Sequence, residues 1–275
     1  MDKISKAQLK LVRSLQQKKY RDELGLFVAE GEKCVEELRK SFELEYLIVE
    51  DGLTATRSYS ANGLIAKRSE LEQMSSLRTP QGVIGVFKKP PEICNHQSSI
   101  INLQSSISLA LDGIQDPGNL GTIIRTCDWF GVHDIFCSRD TADCFNPKVV
   151  QATMGALARV RVHCVDLPAW LEGVKKQESG LKTPIYGTLL DGKNMYEVLQ
   201  SEGRSNSDSG LTAQRSIIVM GNEGNGISQA VRQLITHPLF IPSYPKNAET
   251  SESLNVSIAT AIILSEFRRP AKNQF

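Results

Sequence analysis

The chain has no C-x-x-C pair, no H-E-x-x-H arrangement and no G-K-[ST] step. Its four histidines, His96, His133, His163 and His237, are scattered. These absences argue against a zinc site, a metalloprotease helix and a Walker phosphate loop, so no metal is expected. Aromatic residues are 6% of the composition, and no apolar run approaches the roughly 18 residues that span a bilayer. The first residues lack the apolar stretch of a secretory signal. With six cysteines that sit mostly among aliphatic and aromatic neighbours, free buried thiols and a cytoplasmic setting without membrane contact are the expectation. Net charge is equally uninformative, with 32 basic against 31 acidic side chains.

What is present has more to say. The 275 residues suffice for one large domain or two modest ones. Within the first twenty residues, Lys3, Lys6, Lys10, Arg13, Lys18 and Lys19 face only Asp2. Such an arm suits a phosphate backbone. A solvated helix face is the alternative, and both stay open. Apolar spacing through Ile4, Leu9, Leu11, Val12 and Leu15 predicts a helix there. The stretch GLFVAEGEKCVEELRKS then predicts a strand from Leu26 to Ala29 passing through a glycine into a helix, and EYLIVE and GVIGVFKK predict two further strands. A small α/β unit over 1–95 follows.

The prolines and polar string PPEICNHQSS, continuing to about residue 105, mark a linker over 96–105. Beyond it, over 106–275, ISLALDGI, Asp134–Ser138, VRVHCV, PIYGTLL and SIIVM predict apolar strands. Helical patterns alternate with them at Asn119–Trp129, after Pro147 and from Leu254 to Phe267. Continuous rather than alternating apolar strands predict a mostly parallel sheet with helices on both faces. The run SEGRSNSDSG, Ser201–Gly210, reads as a mobile insertion.

In such a sheet, ligands favour the crevice beyond the carboxyl ends of the strands, which singles out three loops. VMGNEGNGIS spaces Gly221, Gly224 and Gly226 as G-x-x-G-x-G late in the chain, a poor match to a dinucleotide fingerprint. Glu223 makes it a poor phosphate cradle too, whereas sharp glycine bends exposing backbone groups suit a neutral or cationic ligand. A turn whose glutamate caps the next helix is the other reading. LDGIQDPGNLGTIIRTCDWFG offers the Asn119 amide and the Arg125 guanidinium, a rigid charged fork suited to phosphate. Arg125 is equally readable as a structural partner of Asp112, Asp116 or Asp128. In SESLNVSIATAI, Ser253 and Asn255 are polar groups at the start of an apolar helix, and Ser253 fits an N-cap.

The segments DGIQDPGNLGTIIRTCDWFG, MGNEGNGIS, and IP at 241–242 followed by SLNVSIATA at 253–261, in that order, resemble the three motifs of the SpoU/TrmH family of RNA ribose 2′-O-methyltransferases. The resemblance spans about residues 105–269. The first ninety-five residues are similar, more loosely, to the L30e-like substrate-binding extension of many members. This resemblance implies a C-terminal methyltransferase domain with a deep trefoil knot, S-adenosyl-L-methionine as cofactor, and a homodimer that completes the active site. It also implies structured RNA as substrate, ribosomal RNA before transfer RNA, with DNA excluded by the 2′-hydroxyl requirement. A non-catalytic RNA-binding or assembly protein is the alternative. By the same resemblance Asn119, Arg125, Glu223, Ser253 and Asn255 are catalytic residues. Met220, Gly221, Asn222, Glu223, Gly224, Ile241, Ser253 and Leu254 line the cofactor site. The chain departs from the family's short I-P-M-x-G link: Ser243 replaces the methionine, and IPSYPKNAETSESLNV is longer and more hydrophilic.

Overall fold

The computed structural model describes residues 1–53, 63–90, 107–177, 183–201, 215–245 and 251–269. The linker expected over 96–105 and the polar run over 202–210 lie outside the described residues. In chain order the elements are β1 (Asp2–Lys3), α1 (Lys6–Ser14), α2 (Lys18–Leu24), β2 (Leu26–Glu30), α3 (Glu32–Leu38), β3 (Leu44–Glu50), β4 (Gly63–Ala66), α4 (Arg68–Met74) and β5 (Val83–Lys88). They continue with β6 (Ile107–Asp112), α5 (Pro117–Trp129), β7 (Asp134–Cys137), α6 (Pro147–Thr153), β8 (Arg161–Cys164) and α7 (Leu167–Gln177). The last are β9 (Ile185–Asn194), α8 (Met195–Ser201), β10 (Ser216–Gly221), α9 (Gln229–Arg232), β11 (His237–Phe240) and α10 (Val256–Phe267).

Two compact units result. The first comprises Met1–Ile93 together with Asp143–Arg159, and the second Cys94–Ala142 together with Val160–Phe275. In the first unit the sheet runs β1-β4-β3-β5-β2, with β5 antiparallel to both its neighbours. The apolar stripe of α1, through Val12 and Leu15, packs with Leu71 and Met74 of α4 on Val28, Ile48, Ile84 and Val86. Helix α1 begins with a reciprocal box, in which the Ser5 side chain accepts from the Gln8 backbone and the Gln8 side chain accepts from the Ser5 backbone. That leaves Lys6, Lys10 and Arg13 exposed at i, i+4 and i+7 along one stripe.

Segment Asp143–Arg159, numbered among the residues of the parallel-sheet region, belongs to the first unit for physical reasons. Phe145 joins Phe27, Phe42 and Phe87 in an aromatic cluster, with its ring centroid 4.7 Å from that of Phe27. The Arg21 guanidinium is 1% exposed and donates through Nε and Nη2 to Asp143 Oδ2, and through Nη1 to the carbonyls of Leu15 and Gln16. Every side of that guanidinium is engaged, which is the condition for burying it.

The second unit is α/β with a sheet ordered β11-β9-β10-β6-β7-β8, and every pairing in it is parallel. Alternate residues of β10 face opposite sides. Ile217 and Val219 join Ala110, Phe136, Leu171 and Val231 in one core, so Ile218 and Met220, also buried, look the other way. Helix α10 packs against α5 and β10. The two helices are further tied where α5 ends: Arg268 donates from Nε to the Phe130 carbonyl at 2.8 Å and from Nη2 to the Gly131 carbonyl at 3.0 Å. Burial lowers the pKa of this guanidinium. Of the five described cysteines, Cys34, Cys127 and Cys137 are buried, as expected, but Cys144 is half-buried and Cys164 is exposed at the end of a short edge strand. No helix among the described residues is long and apolar enough to cross a membrane.

Candidate active site

Strands β6 and β10 lie side by side with Asp112 in register with Gly221, so the loops leaving both carboxyl ends start together. Two hydrogen bonds lock the pairing. The Asn222 amide donates to the Gly113 carbonyl at 2.6 Å, and Asp112 accepts from the Ser228 backbone N–H at 2.7 Å. The Gly113 N–H donates in turn to Ser138 Oγ, at 2.8 Å, in the loop after β7.

The glycine loop closes on itself between Asn222 and Gly226, whose backbones exchange hydrogen bonds of 3.0 and 2.9 Å. Asn222 Oδ1 accepts from the N–H groups of Gly224 and Asn225. A Cβ on Gly221 would lie 2.4 Å from the Gly226 carbonyl carbon, so no side chain fits there, and Gly226 itself takes a left-handed φ of +67°. At Gly224 the nearest atom to a Cβ is Asn222 Oδ1 at 3.5 Å, and the backbone there faces open space. Sharp turn and exposed backbone are therefore separate duties of separate glycines.

On α5, Pro117 takes the first helical position and Asp116 caps the helix by accepting from the Asn119 N–H at 2.7 Å. This fixes the Asn119 side chain at the helix start. Asn119 Nδ2 donates to Glu223 Oε1 at 2.7 Å, and Asn255 Nδ2 donates to Asn119 Oδ1 at 3.0 Å. One residue from each of the three loops thus enters a single chain of hydrogen bonds. The exposed Glu223 carboxylate does not cap the following helix; α9 has no side-chain cap at all.

Asn255, not Ser253, is the N-cap of α10. Its Oδ1 accepts from the backbone of Ser257 and Ile258, and Ser253 stands exposed two residues earlier. The reason is geometric: a cap must immediately precede the first helical residue, here Val256. Arg125 is exposed one helical turn before Trp129, and among the described residues no carboxylate pairs with it. Asp112 and Asp116 are instead held by backbone N–H groups. Met220 is buried at the end of β10, Ile241 is half-buried after β11, and Leu254 is 47% exposed beside the cap. No hydrogen bond between described residues links Arg125 or Ser253 to the Asn255–Asn119–Glu223 chain.

Sequence reasoning does not anticipate Asp112 as the anchor of Ser228, the Ser138 contact or the Arg268 tie. An aspartate closing an apolar strand is a recognisable signal. The other two depend on pairings 25 and more than 130 positions apart in the chain.

Comparison with known proteins adds to this geometry. The SpoU rRNA Methylase family matches residues 106–265, and the MRM3-like substrate binding domain matches residues 6–85. A Bacillus subtilis protein named 23S rRNA (guanosine(2553)-2′-O)-methyltransferase RlmP is 30% identical over 260 residues, covering 93% of this chain and 94% of its own. A TrmH-family structure from Porphyromonas gingivalis is similar with a TM-score of 0.78 and 36% identity, covering 97% of this chain and 98% of the other. An AdoMet-bound rRNA methyltransferase from Sinorhizobium meliloti matches at a TM-score of 0.75 and 27% identity, covering 98% and 97% of the two chains.

Proposed function

The chain belongs to the SpoU rRNA methylase family, and from that premise we propose that it moves a methyl group from S-adenosylmethionine to a ribose 2′-hydroxyl of ribosomal RNA. The observation that carries this reading is the hydrogen-bonded chain Asn255–Asn119–Glu223, which gathers all three loops at one end of a parallel sheet.

The residues present fit the cofactor. The open backbone at Gly224 and the turn at Gly226 favour an uncharged adenosyl group over a phosphate, which the exposed Glu223 would repel. Leu254 and Ile241 add apolar surface, and Met220, Asn222 and Ser253 complete the proposed cradle. When bound, the cofactor supplies a methyl group on a positively charged sulfur. The chain's own work is to hold the acceptor ribose in line with that methyl, where positioning contributes much of the rate. A guanidinium is a permanent donor with no acceptor site, which makes Arg125 unsuited to taking the proton. Its role is to clamp the RNA phosphate and the oxyanion that develops on the 2′-oxygen, whose proton passes to solvent while the demethylated thioether departs.

A guanosine of large-subunit RNA is the target we propose, because the Bacillus relative is named for one. The first unit grips structured RNA by shape and phosphate, with Lys6, Lys10 and Arg13 as its exposed cations. The proposed division has a substrate-binding part over 1–95, a linker over 96–105 and a methyltransferase part over 106–275, with 143–159 assigned to the first fold unit. A trefoil knot in the C-terminal part and a cytoplasmic location complete the reading. So does a homodimer, supported by Trp129 at 85% and Ile258 at 55% exposure on the packed helices α5 and α10. Large apolar side chains left this exposed favour a protein partner.

The test is to map 2′-O-methyl groups in RNA from a deletion strain against its parent. One guanosine of ribosomal RNA should lose its methyl group and regain it when purified protein and cofactor are added. Loss confined to transfer RNA, or no loss anywhere, would overturn the assignment.

A further inference from the structure

The chain of amides at the site has a direction, and that direction is imposed from helix α10. We propose that Asn255 is a positioning residue: its amide, oriented by capping α10, turns the Asn119 amide and through it holds the Glu223 carboxylate. It therefore acts without touching substrate or cofactor. This rests on the methyltransferase reading above and adds a role for the residue that starts the relay.

The argument is one of donors and acceptors. Asn255 Oδ1 is occupied by the Ser257 N–H at 3.0 Å, the Ser257 hydroxyl at 2.6 Å and the Ile258 N–H at 3.4 Å. All three are donors, so only the oxygen of the amide can face them and Nδ2 must point away. It meets Asn119 Oδ1 at 3.0 Å. An amide presents oxygen on one side and nitrogen on the other, so Asn119 must turn Nδ2 to Glu223, and does so at 2.7 Å. The far end agrees independently, because an ionised carboxylate only accepts. Both ends thus demand the same orientation of Asn119, and the backbone N–H of that residue is pinned by Asp116. Glu223 also sits in a loop closed by the Asn222 backbone bonds. One carboxylate oxygen is held by this relay. No other side-chain hydrogen bond engages the glutamate among the described residues, and the group stays exposed for the chemistry.

The discriminating variant is Asn255→Asp. Aspartate caps a helix as well as asparagine does, but it has no N–H to give Asn119. An oxygen then faces Asn119 Oδ1, so Asn119 lies between two acceptors, and whichever way its amide turns one of its two relay bonds is lost. With Asn255→Asp we expect a Tm within about 2 °C of the parent. Cofactor Kd by calorimetry and KM for RNA should stay within about threefold, and kcat should fall by about tenfold or more. In protein labelled with ¹⁵N asparagine, the Asn119 side-chain NH₂ signals, assigned with Asn119→Ala, should move in Asn255→Asp. Asn255→Ala, which loses cap and donor together, should lower both Tm and kcat.

An unchanged kcat in Asn255→Asp would overturn the proposal. So would a rise in KM at constant kcat, which would mean direct contact with RNA, or unmoved Asn119 signals. The side-chain signals are read without turnover. A parent protein that failed to methylate RNA would therefore count against the function, while the amide orientation would still be decided.

Discussion

Arg21 and Asp143, 122 positions apart in the chain, form an ion pair at 2.7 Å within one fold unit, and the guanidinium is almost wholly buried. Removing one partner leaves the other charge buried without compensation. Asp143→Ala should cost about 3–5 kcal/mol of stability in denaturant unfolding, far more than the loss of a surface pair. A cost under about 1 kcal/mol, the range of exposed pairs, would show that Arg21 is not buried as described.

Arg125→Lys keeps the charge and loses the fork. If the guanidinium clamps phosphate and oxyanion together, kcat should fall by about a hundredfold while cofactor Kd is preserved. Near-normal turnover would remove the clamp from the mechanism.

The glycine loop separates two kinds of failure. Gly221→Ala places a Cβ against the Gly226 backbone and should lower Tm as well as cofactor affinity. Gly224→Ala meets only Asn222 Oδ1, at 3.5 Å, so Tm should hold while cofactor Kd weakens. Calorimetry and thermal melts on the pair check both statements. An unaffected Kd in Gly224→Ala would place the cofactor elsewhere.

The exposed stripe of α1 predicts a salt effect. Replacing Lys6, Lys10 and Arg13 by glutamine should weaken RNA binding. It should also flatten the dependence of log K on log salt by about 0.7–0.9 for each RNA phosphate that is no longer neutralised. The rate at saturating RNA should be unchanged. An unaltered slope would mean that the stripe is only a solvated face.

Asp134 gives a pH signature. Its side chain is fully buried between β7 and β8, accepting from both Arg161 and His163. Burial alone pushes its pKa up from 3.8, but the hydrogen bonds and charges of those two partners outweigh it and bring the value to about 2. A carboxylate depressed in the folded state adds stability above its unfolded pKa, and this is lost as pH falls through the folded one. The part of the stability gap between the protein and Asp134→Asn that this carboxylate supplies should therefore be lost as pH falls from about 4 to about 2. Urea unfolding at a series of pH values measures it, and a gap unchanged at about pH 2 would contradict the arrangement.

Much of this site is legible in the chain. Asp116–Pro117 announces a helix start, the glycine spacing a sharp turn, and the apolar strands a buried parallel sheet, because each is a local preference with a local cause. The three polar residues of the relay are recognisable from their motifs. Their order, Asn255 to Asn119 to Glu223, is not, since it depends on pairings 136 and 104 positions apart. The sequence reading takes Ser253 as the cap, and it fails because the helix starts at Val256, directly after Asn255. Asp143–Arg159 escapes a sequence reading for a similar reason. Nothing in its composition says that Phe145 finds Phe27 or that Asp143 finds Arg21.

That excursion of the chain has an architectural cost. Residues 143–159 leave the parallel sheet after β7, complete the first unit, and return as β8. A gene cut at the apparent junction near residue 95 would strand this piece without the surface that folds it, and would leave Arg21 facing an empty seat. The two fold units are stitched rather than strung together along the chain, so neither is a cartridge to be exchanged by recombination at a single point.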